Sequence, residues 1–511
     1  MSNFPTINYQ VSDLNSVVSD LLTRVPKEVV EEAEKVGWEV YLVGGCIRNR
    51  LLGRSVGDLD LSIVGNAPEL ARAVGRKLRA RKIAIYSRFH TALIETDQGK
   101  IELATARRES YAPDSRKPAV VEPTSIEEDL SRRDFTINAF AIGVVGKRKG
   151  EFLDLFGGLS DLESRLIRTP LDPEHTFSDD PLRMLRAVRF AAELGFEIES
   201  HTWIGIKQSA HRLHIVASER IGEEFRKMLE GPNPVRAMEL LINSDLMDII
   251  IPEVTAMMGV EQKGSHRHKD VLIHSLKVMH NVVSVTSDPI LRLAALLHDV
   301  GKPLTKRFNP QEGWTFHGHE IVGARLAWRI GRRLHLGKEE LRKLTTLVRL
   351  HMRPVNLVGE EVTDSAIRRL MVDVGPYLED QMILCRADIT TARAHLVATY
   401  LKNFEQIQQR MADVTARDKM RQFQSPIKGD EIMSICGIRP GPYIGVLKGR
   451  IEEAILDGLI PYEYDAAKEY LLKIKDQVLA LDQQAALAEI RERSKARRSI
   501  TRDFIFPNER D

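Results

Sequence analysis

Strand-like sequence patterns are confined to the first third of this 511-residue chain. Alternating apolar and polar residues predict five short strands: Glu39–Val43, Asp58–Val64, Lys82–Tyr86, Thr91–Thr96 and Lys100–Ala104. Helical spacing separates several of these segments, and after about residue 175 it covers almost all of the chain. The pattern predicts an α+β multidomain protein, with an N-terminal mixed β-sheet domain followed by an all-α part.

Composition excludes several classes of protein. The chain is 43% hydrophobic and 29% charged, which suits domains with sizeable cores and excludes a disordered chain. Its 74 basic and 72 acidic side chains give a net charge of +2, so a basic surface for nucleic acid must be local. Three widely separated cysteines exclude a disulfide scaffold and predict a cytoplasmic location. No apolar run approaches the roughly 18 residues of a membrane span, and no membrane partner is expected.

Two short motifs follow one another near the N-terminus. Gly44 and Gly45 allow a strand to turn sharply into a helix, whose first N–H groups face a phosphate with Arg48 one turn further on. Asp58 and Asp60 are two apart on a strand, so their carboxylates share one face and require divalent cations such as Mg²⁺. Either motif alone also fits a turn beside a solvated acidic edge. Their order and spacing favour a metal-dependent triphosphate site.

Arginines gather in two further segments. Arg132 and Arg133 stand beside Asp134, which suits a ribonucleotide because the cations meet phosphate and the carboxylate accepts from ribose hydroxyls. A salt-bridged helix start would have the same composition. On a helix that begins near Pro181, three arginines at intervals of three drift across one face and could line a groove for RNA or triphosphate: Arg183, Arg186 and Arg189.

Histidine and aspartate recur in the predicted helices of the second half. The adjacent pair His298 and Asp299 follows an apolar helical segment, and four further candidates accompany it: His274, His319, His351 and Asp388. Neutral imidazoles and carboxylates suit first-row divalent metals, so Mn²⁺, Ni²⁺, Co²⁺ and Fe²⁺ are all compatible. Any one of the 15 histidines, taken singly, also fits a surface or core position.

Three segments resemble motifs of a known superfamily: Val43–Ser62, Arg132–Ala139 and Asp179–Phe190. They are similar to the DNA polymerase beta-like nucleotidyltransferases, in the branch of tRNA nucleotidyltransferases and bacterial poly(A) polymerases. The resemblance implies a triphosphate and metal site made by the glycine pair, the arginine and the two aspartates of the first motif. Asn49 departs from the aspartate that is usual in the family, and Asp179 departs from a glutamate.

The same resemblance implies how the nucleotide is selected. Arg133 and Asp134 would contact the sugar, and Asn138 would help to hold the site. Asp180 and Arg183 would hydrogen-bond the Watson–Crick edge of the incoming C or A, so that the protein itself replaces a nucleic-acid template.

Two further features belong to this resemblance. Polymerases of the superfamily often have a third carboxylate on a neighbouring strand, and Glu102 is the candidate, although an exposed strand glutamate fits equally well. Arg107–Pro113 resembles a flexible loop that helps the family to switch from C to A addition. A plain surface connection fits equally well, because Pro113, Pro118 and Pro123 all lie in this part of the chain.

The segment Ala294–Lys302 resembles the HD phosphohydrolase superfamily closely, and the six histidine and aspartate candidates occur in the order of that family's ligands. Six ligands permit two metals, which implies hydrolysis of a phosphate monoester or diester by a metal-activated water. The resemblance therefore divides the chain into an extension (1–27), a nucleotidyltransferase head (28–172), a helical neck (173–235), a helical body (236–400, with the HD domain at about 262–395) and a helical tail (401–511).

These features predict a class II enzyme that adds CCA to the 3′ end of tRNA from CTP and ATP. They also predict Mg²⁺ at the transfer site and a phosphohydrolase activity in the HD domain. A CC-adding enzyme, an A-adding enzyme and a poly(A) polymerase share the same motifs. From another class, a metal-dependent phosphohydrolase with an RNA-binding N-terminal half remains an alternative. The sequence leaves open the HD substrate and the oligomeric state.

Overall fold

The computed structural model describes residues 13–97, 99–111, 118–262, 269–311, 313–356, 363–390, 405–414 and 425–499. The chain divides into an N-terminal unit, residues 1–250, and a C-terminal unit, residues 251–511. Within the described ranges, no helix has the length and apolar character needed to cross a membrane.

A seven-stranded mixed sheet forms the centre of the N-terminal unit. The first nine strands are β1 (Glu39–Val43), β2 (Leu59–Val64), β3 (Lys82–Tyr86), β4 (Thr91–Thr96), β5 (Gly99–Thr105), β6 (Arg107–Tyr111), β7 (Pro118–Pro123), β8 (Phe140–Val145) and β9 (Phe152–Asp154). The sheet order is β3-β4-β5-β2-β1-β8-β9, and β6 pairs with β7 as a separate hairpin. Among the described strand pairs of this seven-stranded sheet, β2 and β5 alone are parallel. Asp60 of β2 lies opposite Glu102 of β5.

Helices cover the sheet and complete the N-terminal unit. They are α1 (Leu14–Arg24), α2 (Lys27–Val36), α3 (Gly45–Leu51), α4 (Ala67–Lys77), α5 (Ile126–Ser131), α6 (Gly158–Glu163), α7 (Pro173–Asp179), α8 (Leu182–Leu194), α9 (Ser200–Ser209), α10 (Ser218–Glu230), α11 (Pro234–Asn243) and α12 (Leu246–Ile250). The short strands β10 (Leu166–Ile167) and β11 (Glu197–Ile198) pair in parallel. Part of the core lies where Tyr41 and Val43 of β1 pack against Ile126 and Leu130 of α5.

The C-terminal unit is helical. Its helices are α13 (Pro252–Thr255), α14 (Val271–Val283), α15 (Pro289–Leu297), α16 (Lys302–Thr305), α17 (His319–Arg333), α18 (Lys338–Leu350), α19 (Met352–Asn356), α20 (Asp364–Val374), α21 (Leu378–Asp388), α22 (405–414), α23 (Gly429–Cys436), α24 (Pro442–Leu456), α25 (Tyr464–Leu479) and α26 (Gln483–Ser499). The last four pack around one apolar cluster that includes Ile432, Ile451 and Leu471. Two short hairpins accompany them, β12 (Glu261–Gln262) with β13 (Lys269–Asp270), and β14 (Arg307–Asn309) with β15 (Gly313–Thr315).

The α+β class and the N-terminal mixed sheet are confirmed. Two local features differ from the prediction. The predicted loop Arg107–Pro113 begins as strand β6, and residues 112 and 113 lie outside the described residues. The β14–β15 hairpin interrupts the helical part, where Phe308 and Trp314 pair across the strands with ring centroids 5.2 Å apart. Strands of three residues are too short to show an alternating pattern. The internal domain boundaries stay predictions.

Candidate functional site

Three carboxylates come together at one edge of strands β2 and β5. Asp58 immediately precedes β2, Asp60 lies within it, and Glu102 is the partner of Asp60 on the parallel neighbour. Burial, together with the charges of Glu102 and Asp58, raises the pKa of Asp60 to about 6. Clustered carboxylates that repel one another are the donor set that suits Mg²⁺, so the residues fit the predicted cation.

Gly44 is packed between the carboxylate cluster and an arginine. Its φ is +80°, and a Cβ at this position would lie 2.9 Å from Nη1 of Arg133 and 3.7 Å from Oδ2 of Asp60. A larger residue would therefore displace the guanidinium from the carboxylate. The Nε of Arg133 is buried and has no hydrogen-bond partner among the described residues. A cation with an unused donor beside a metal-type site fits an anionic ligand such as a phosphate.

Arg48 projects from α3 into a buried pocket. Only 5% of the residue is exposed. Its Nη1 donates to Oδ1 of Asn138 at 2.6 Å, while Nε and Nη2 donate to Oδ1 of Asn49 at 3.1 and 2.8 Å. The guanidinium lies over the ring of Phe190, 4.8 Å from its centroid. Burial lowers the pKa of Arg48 to about 10, since the charged form loses hydration.

Asp134 anchors the second motif and pairs with the helix α8. Its Oδ2 accepts from Nε and Nη2 of Arg186 at 2.8 and 2.6 Å, and Oδ1 accepts from Nδ2 of Asn138 and from the Phe135 N–H, both at 2.9 Å. Burial opposes ionisation, but Arg186 and Asn138 lower the pKa of Asp134 to about 2. Asn138 thus connects Asp134 to Arg48. Sugar contacts by Asp134 and by Asn138 stay predictions.

We expect Asp134→Asn to lower the free energy of unfolding by about 2 kcal/mol, because it leaves the Arg186 charge without its carboxylate in a mostly buried place. The figure is discounted for the 35% exposure of the Arg186 side chain. Urea unfolding of the single variants and of Asp134→Asn/Arg186→Met measures the coupling. If the double variant were as unstable as the sum of the single variants, the ion pair would not be the cause.

Asp129 supports the second motif, and the sequence patterns did not point to it. Its side chain is almost fully buried within α5, where Oδ1 accepts from Nη2 of Arg132 at 2.6 Å and Oδ2 accepts from Nη2 of Arg133 at 3.4 Å. The Ser62 hydroxyl of β2 donates to the same carboxylate at 3.1 Å. Asp129 therefore fixes both arginines relative to the metal-type strand. Asp129 precedes the two arginines by three and four residues, and this spacing places side chains on the same face of a helix, so it could have indicated the ion pairs.

The proposed base-reading pair lies close to the second motif. Nη2 of Arg183 donates to the main-chain carbonyl of Arg132 at 2.6 Å, and Nη1 donates to the carbonyl of Thr176 at 3.1 Å. Oδ1 of Asp180 accepts from the Leu182 N–H at the start of α8. These contacts place α8 beside the nucleotide motif, and base recognition by Asp180 and Arg183 stays a prediction.

The three arginines of α8 do not form a row of equivalent charges. Arg189 donates from Nε to Glu224 at 2.7 Å and from Nη1 to Glu193 at 3.0 Å, with 13% of its side chain exposed. Arg186 is bound to Asp134, and both guanidinium groups flank Phe190. A nucleotide or RNA role for Arg189 stays a prediction, because two glutamates already compensate its charge.

A second cluster lies in the C-terminal unit and contains all six predicted ligands. They form two groups, and within each group the ligand atoms lie within 4.8 Å of one another. One group is His274, His298 and Asp388, and the other is Asp299, His319 and His351. Asp299 bridges the groups, since its Oδ2 lies 3.3 Å from Nε2 of His298 and its Oδ1 lies 3.5 Å from Nε2 of His319. The geometry provides two adjacent places for a metal ion.

The four histidines are oriented as metal ligands usually are. Each uses Nδ1 at 2.7–3.0 Å for a contact outside the cluster: a main-chain carbonyl for His298, His319 and His351, and the Thr390 hydroxyl for His274. Every Nε2 is thereby left for the cluster. Such outer partners fix the tautomer in which Nε2 can bind a cation. The donor set fits a first-row divalent metal.

Protonation in this cluster follows the nearest charges. Burial opposes the charged form of His298, but Asp299 and Asp388 raise its pKa to about 9. Burial and the neighbouring His298 lower the pKa of His351 to about 4. Strongly perturbed pKa values of this kind cluster at functional sites.

Lys302 is a second residue that the sequence reasoning did not assign. Its Nζ donates to Oδ2 of Asp299 at 2.6 Å, and it lines a cavity of about 660 Å³ together with His319, Arg349 and Arg353. Cationic side chains beside a metal cluster suit a phosphate ester. The signal was its position three residues after Asp299, in the first turn of the next helix.

Comparisons with known proteins match three segments of the chain to known domains. Residues 40–168 match the poly A polymerase head domain, residues 195–258 match a probable RNA and SrmB-binding site of polymerase A, and residues 271–393 match the HD domain. The A-adding tRNA nucleotidyltransferase of Deinococcus radiodurans is 34% identical over 65% of this chain and 76% of that protein. A multifunctional CCA protein of Legionella pneumophila strain Lens is 32% identical over 68% of this chain and 84% of its own.

A solved structure shares the fold. A CCA-adding enzyme in an apo form superposes with a TM-score of 0.62 and 23% identity, over 91% of this chain and 99% of the other. The head fold with its carboxylate cluster, followed by a histidine–aspartate cluster, defines a nucleotidyltransferase with an HD domain. The chain belongs to the class II CCA-adding tRNA nucleotidyltransferase and poly(A) polymerase family.

Proposed function

We propose that this protein adds CCA to the 3′ end of tRNA, taking CTP and ATP as substrates and using no nucleic-acid template. The observation that carries the proposal is the meeting of Asp58, Asp60 and Glu102 with the partly buried Arg133 across Gly44. Membership of the family supports the substrate class. The cytoplasmic location predicted from the cysteines is part of the proposal, and all three cysteines are free thiols.

The residues divide the reaction between them. Asp58, Asp60 and Glu102 would hold Mg²⁺, which when bound neutralises the triphosphate and favours ionisation of the attacking 3′-hydroxyl. Arg48 and Arg133 bind the triphosphate and stabilise the pyrophosphate that leaves after in-line attack on the α-phosphate. Asp180 and Arg183 orient the base, so that C and A are accepted through their Watson–Crick edges.

Three tRNA transcripts test the product. We expect a transcript that lacks CCA, one that ends in C and one that ends in CC all to be extended to CCA when labelled CTP and ATP are supplied. Because the relative from Deinococcus radiodurans is an A-adding tRNA nucleotidyltransferase, the decisive transcript is the one that lacks CCA. Addition of A to the CC transcript alone identifies an A-adding enzyme, a stop at CC identifies a CC-adding enzyme, and a long A tail identifies a poly(A) polymerase.

The C-terminal cluster supports a second activity, the metal-dependent hydrolysis of a phosphate ester. The supporting observation is the convergence of four Nε2 atoms with two aspartates. His274, His298 and Asp388 would hold one ion and the other three ligands a second. A bound first-row metal supplies a hydroxide at neutral pH. Lys302 and the arginines of the adjacent cavity would bind the phosphate.

Metal removal gives a direct prediction for this cluster. After treatment with a chelator, we expect hydrolysis of p-nitrophenyl phosphate and of bis(p-nitrophenyl) phosphate to be absent and to return with Mn²⁺, Ni²⁺, Co²⁺ or Fe²⁺. The same ions should raise the Tm of the wild type more than that of His298→Ala, which keeps only the carboxylate site of the head, because ligand binding stabilises the folded state. Equal stabilisation of both proteins would exclude this cluster as the metal site.

A further inference from the structure

The positive charge of Arg48 has no ion-pair partner within the part of the chain that the structure describes. Its three hydrogen bonds end on the amide oxygens of Asn49 and Asn138, which are neutral. One face of the guanidinium rests against Phe190, 4.8 Å from the ring centroid. Among the ion pairs of the described residues, none involves Arg48. Neutral hydrogen-bond acceptors and an aromatic ring therefore fix the position of the guanidinium, and no negative charge among these contacts compensates its positive charge.

The nearest acidic groups are engaged elsewhere. Asp134 and Glu193 act on Arg48 only at longer range. Asp134 forms its contacts with Arg186, and Glu193 pairs with Arg189. A guanidinium that is 95% hidden from solvent without a counter-ion destabilises the folded state, because its desolvation is not offset by Coulomb attraction. Such an arrangement is retained where an anion binds during function.

Asn49 is the residue that leaves the charge unbalanced. Its Oδ1 accepts two N–H groups from Arg48, and its side chain is half-buried, so a carboxylate could occupy the same place. In the family an aspartate usually stands here. Aspartate would provide the same acceptor and would add a counter-charge about 3 Å from the guanidinium.

We propose that Asn49 is a positioning residue that orients Arg48 without neutralising it, and so sets the affinity of the transfer site for the polyphosphate of the incoming nucleotide and for pyrophosphate. The inference rests on the proposed nucleotidyl transfer. It predicts opposite signs for stability and for binding, which no purely structural role of Asn49 produces. A counter-charge would stabilise the protein and weaken its hold on an anion.

The test compares three variants of the full-length protein. For Asn49→Asp we expect a higher Tm, a KM for ATP and CTP raised about fivefold to tenfold, and a pyrophosphate inhibition constant raised by a similar factor, with kcat changed much less. Asn49→Ala should lower the Tm, since two buried donors lose their acceptor, yet bind pyrophosphate more tightly than Asn49→Asp. Asn15→Asp adds the same charge at an exposed position in the first turn of α1 and should leave KM unchanged.

Two results would overturn the inference. One is an Asn49→Asp protein with a higher Tm and unchanged polyphosphate affinity, and the other is weaker binding in Asn49→Ala than in Asn49→Asp. Calorimetric titration with pyrophosphate separates this question from the proposed function, because it requires no turnover. If the wild type incorporated no nucleotide, the proposed function would fail, while the order of pyrophosphate affinities would still decide the role of Asn49.

Discussion

Asp60→Asn is expected to lower nucleotide incorporation into tRNA by at least about a thousandfold, since the amide removes one ligand from the carboxylate cluster that would hold Mg²⁺. The same change should raise the Tm of the metal-free protein. Burial and the charges of Glu102 and Asp58 raise the pKa of Asp60 to about 6, so its ionised form is unfavourable in the folded state. Loss of activity with gain of stability separates a catalytic role from a structural one.

The gain in stability should depend on pH in a defined direction. A carboxyl group with a raised pKa stabilises the fold while it is protonated and loses that contribution as the pH rises from about 4 through about 6. The Tm difference between Asp60→Asn and the wild type should therefore be small near pH 4 and fully developed above about pH 6. Melting curves in a chelator across this range measure it.

Asp97→Asn is the matched control. Asp97 follows strand β4, and its one ion pair among the described residues is with Arg81. The Asp97 side chain is 78% exposed and the Arg81 side chain is 73% exposed. This substitution also replaces a carboxylate by an amide, and we expect neither activity nor Tm to change measurably. Equal activity of Asp60→Asn and Asp97→Asn would contradict the assignment of the transfer site.

Asp299→Asn is expected to abolish phosphate-ester hydrolysis while leaving CMP and AMP incorporation unchanged. Asp299 is the residue that faces both ligand groups, with Oδ1 and Oδ2 within 3.3–3.5 Å of His298 and His319. Asp299 is the carboxylate of the group that contains His319 and His351. Without its charge, that group would bind its metal much more weakly, and hydrolysis that depends on both ions should fall by about a thousandfold or more. Metal content per chain, measured on the purified variant, should fall in parallel.

Asp430→Asn controls for the loss of one carboxylate in the same unit. Asp430 is exposed in the first turn of α23, outside both clusters. We expect it to keep its metal and both activities. An Asp299→Asn protein that hydrolyses phosphate esters as the wild type does would show that this cluster is not the hydrolytic centre. A parallel loss of incorporation would show that the two sites are not separate.

The two proposed sets of metal ligands, in the head and in the HD domain, could be predicted from residue type and from the order of the residues along the chain. Asp58 and Asp60 alternate on a strand, and Glu102 needed only the parallel pairing of its strand to reach them. The six histidine and aspartate residues lie at or near helix ends. Their order along the chain, which resembles that of the HD phosphohydrolase ligands, selected them from the 15 histidines, since taken singly each histidine also fits a surface or core position.

The partners of the arginines could not be predicted. Asp134 binds Arg186 across 52 residues, and Arg189 binds Glu224 across 35 residues. Periodicity placed the three arginines of α8 on a slowly drifting face, but it contained nothing about which acids would compensate them. The neutral surroundings of Arg48 could not be predicted either, because one of its acceptors, Asn138, comes from a distant segment of the chain. Tertiary packing decides which charges remain available to a substrate.

The most direct measurement is the sequence of the 3′ end that the wild-type protein adds to a tRNA transcript lacking CCA, with all four nucleoside triphosphates at equal concentration and Mg²⁺ present. We expect C, C and A to be added in that order and addition then to stop, with no incorporation of U or G. A transcript that remains unextended, or one that acquires U, G or a run of A, would contradict it.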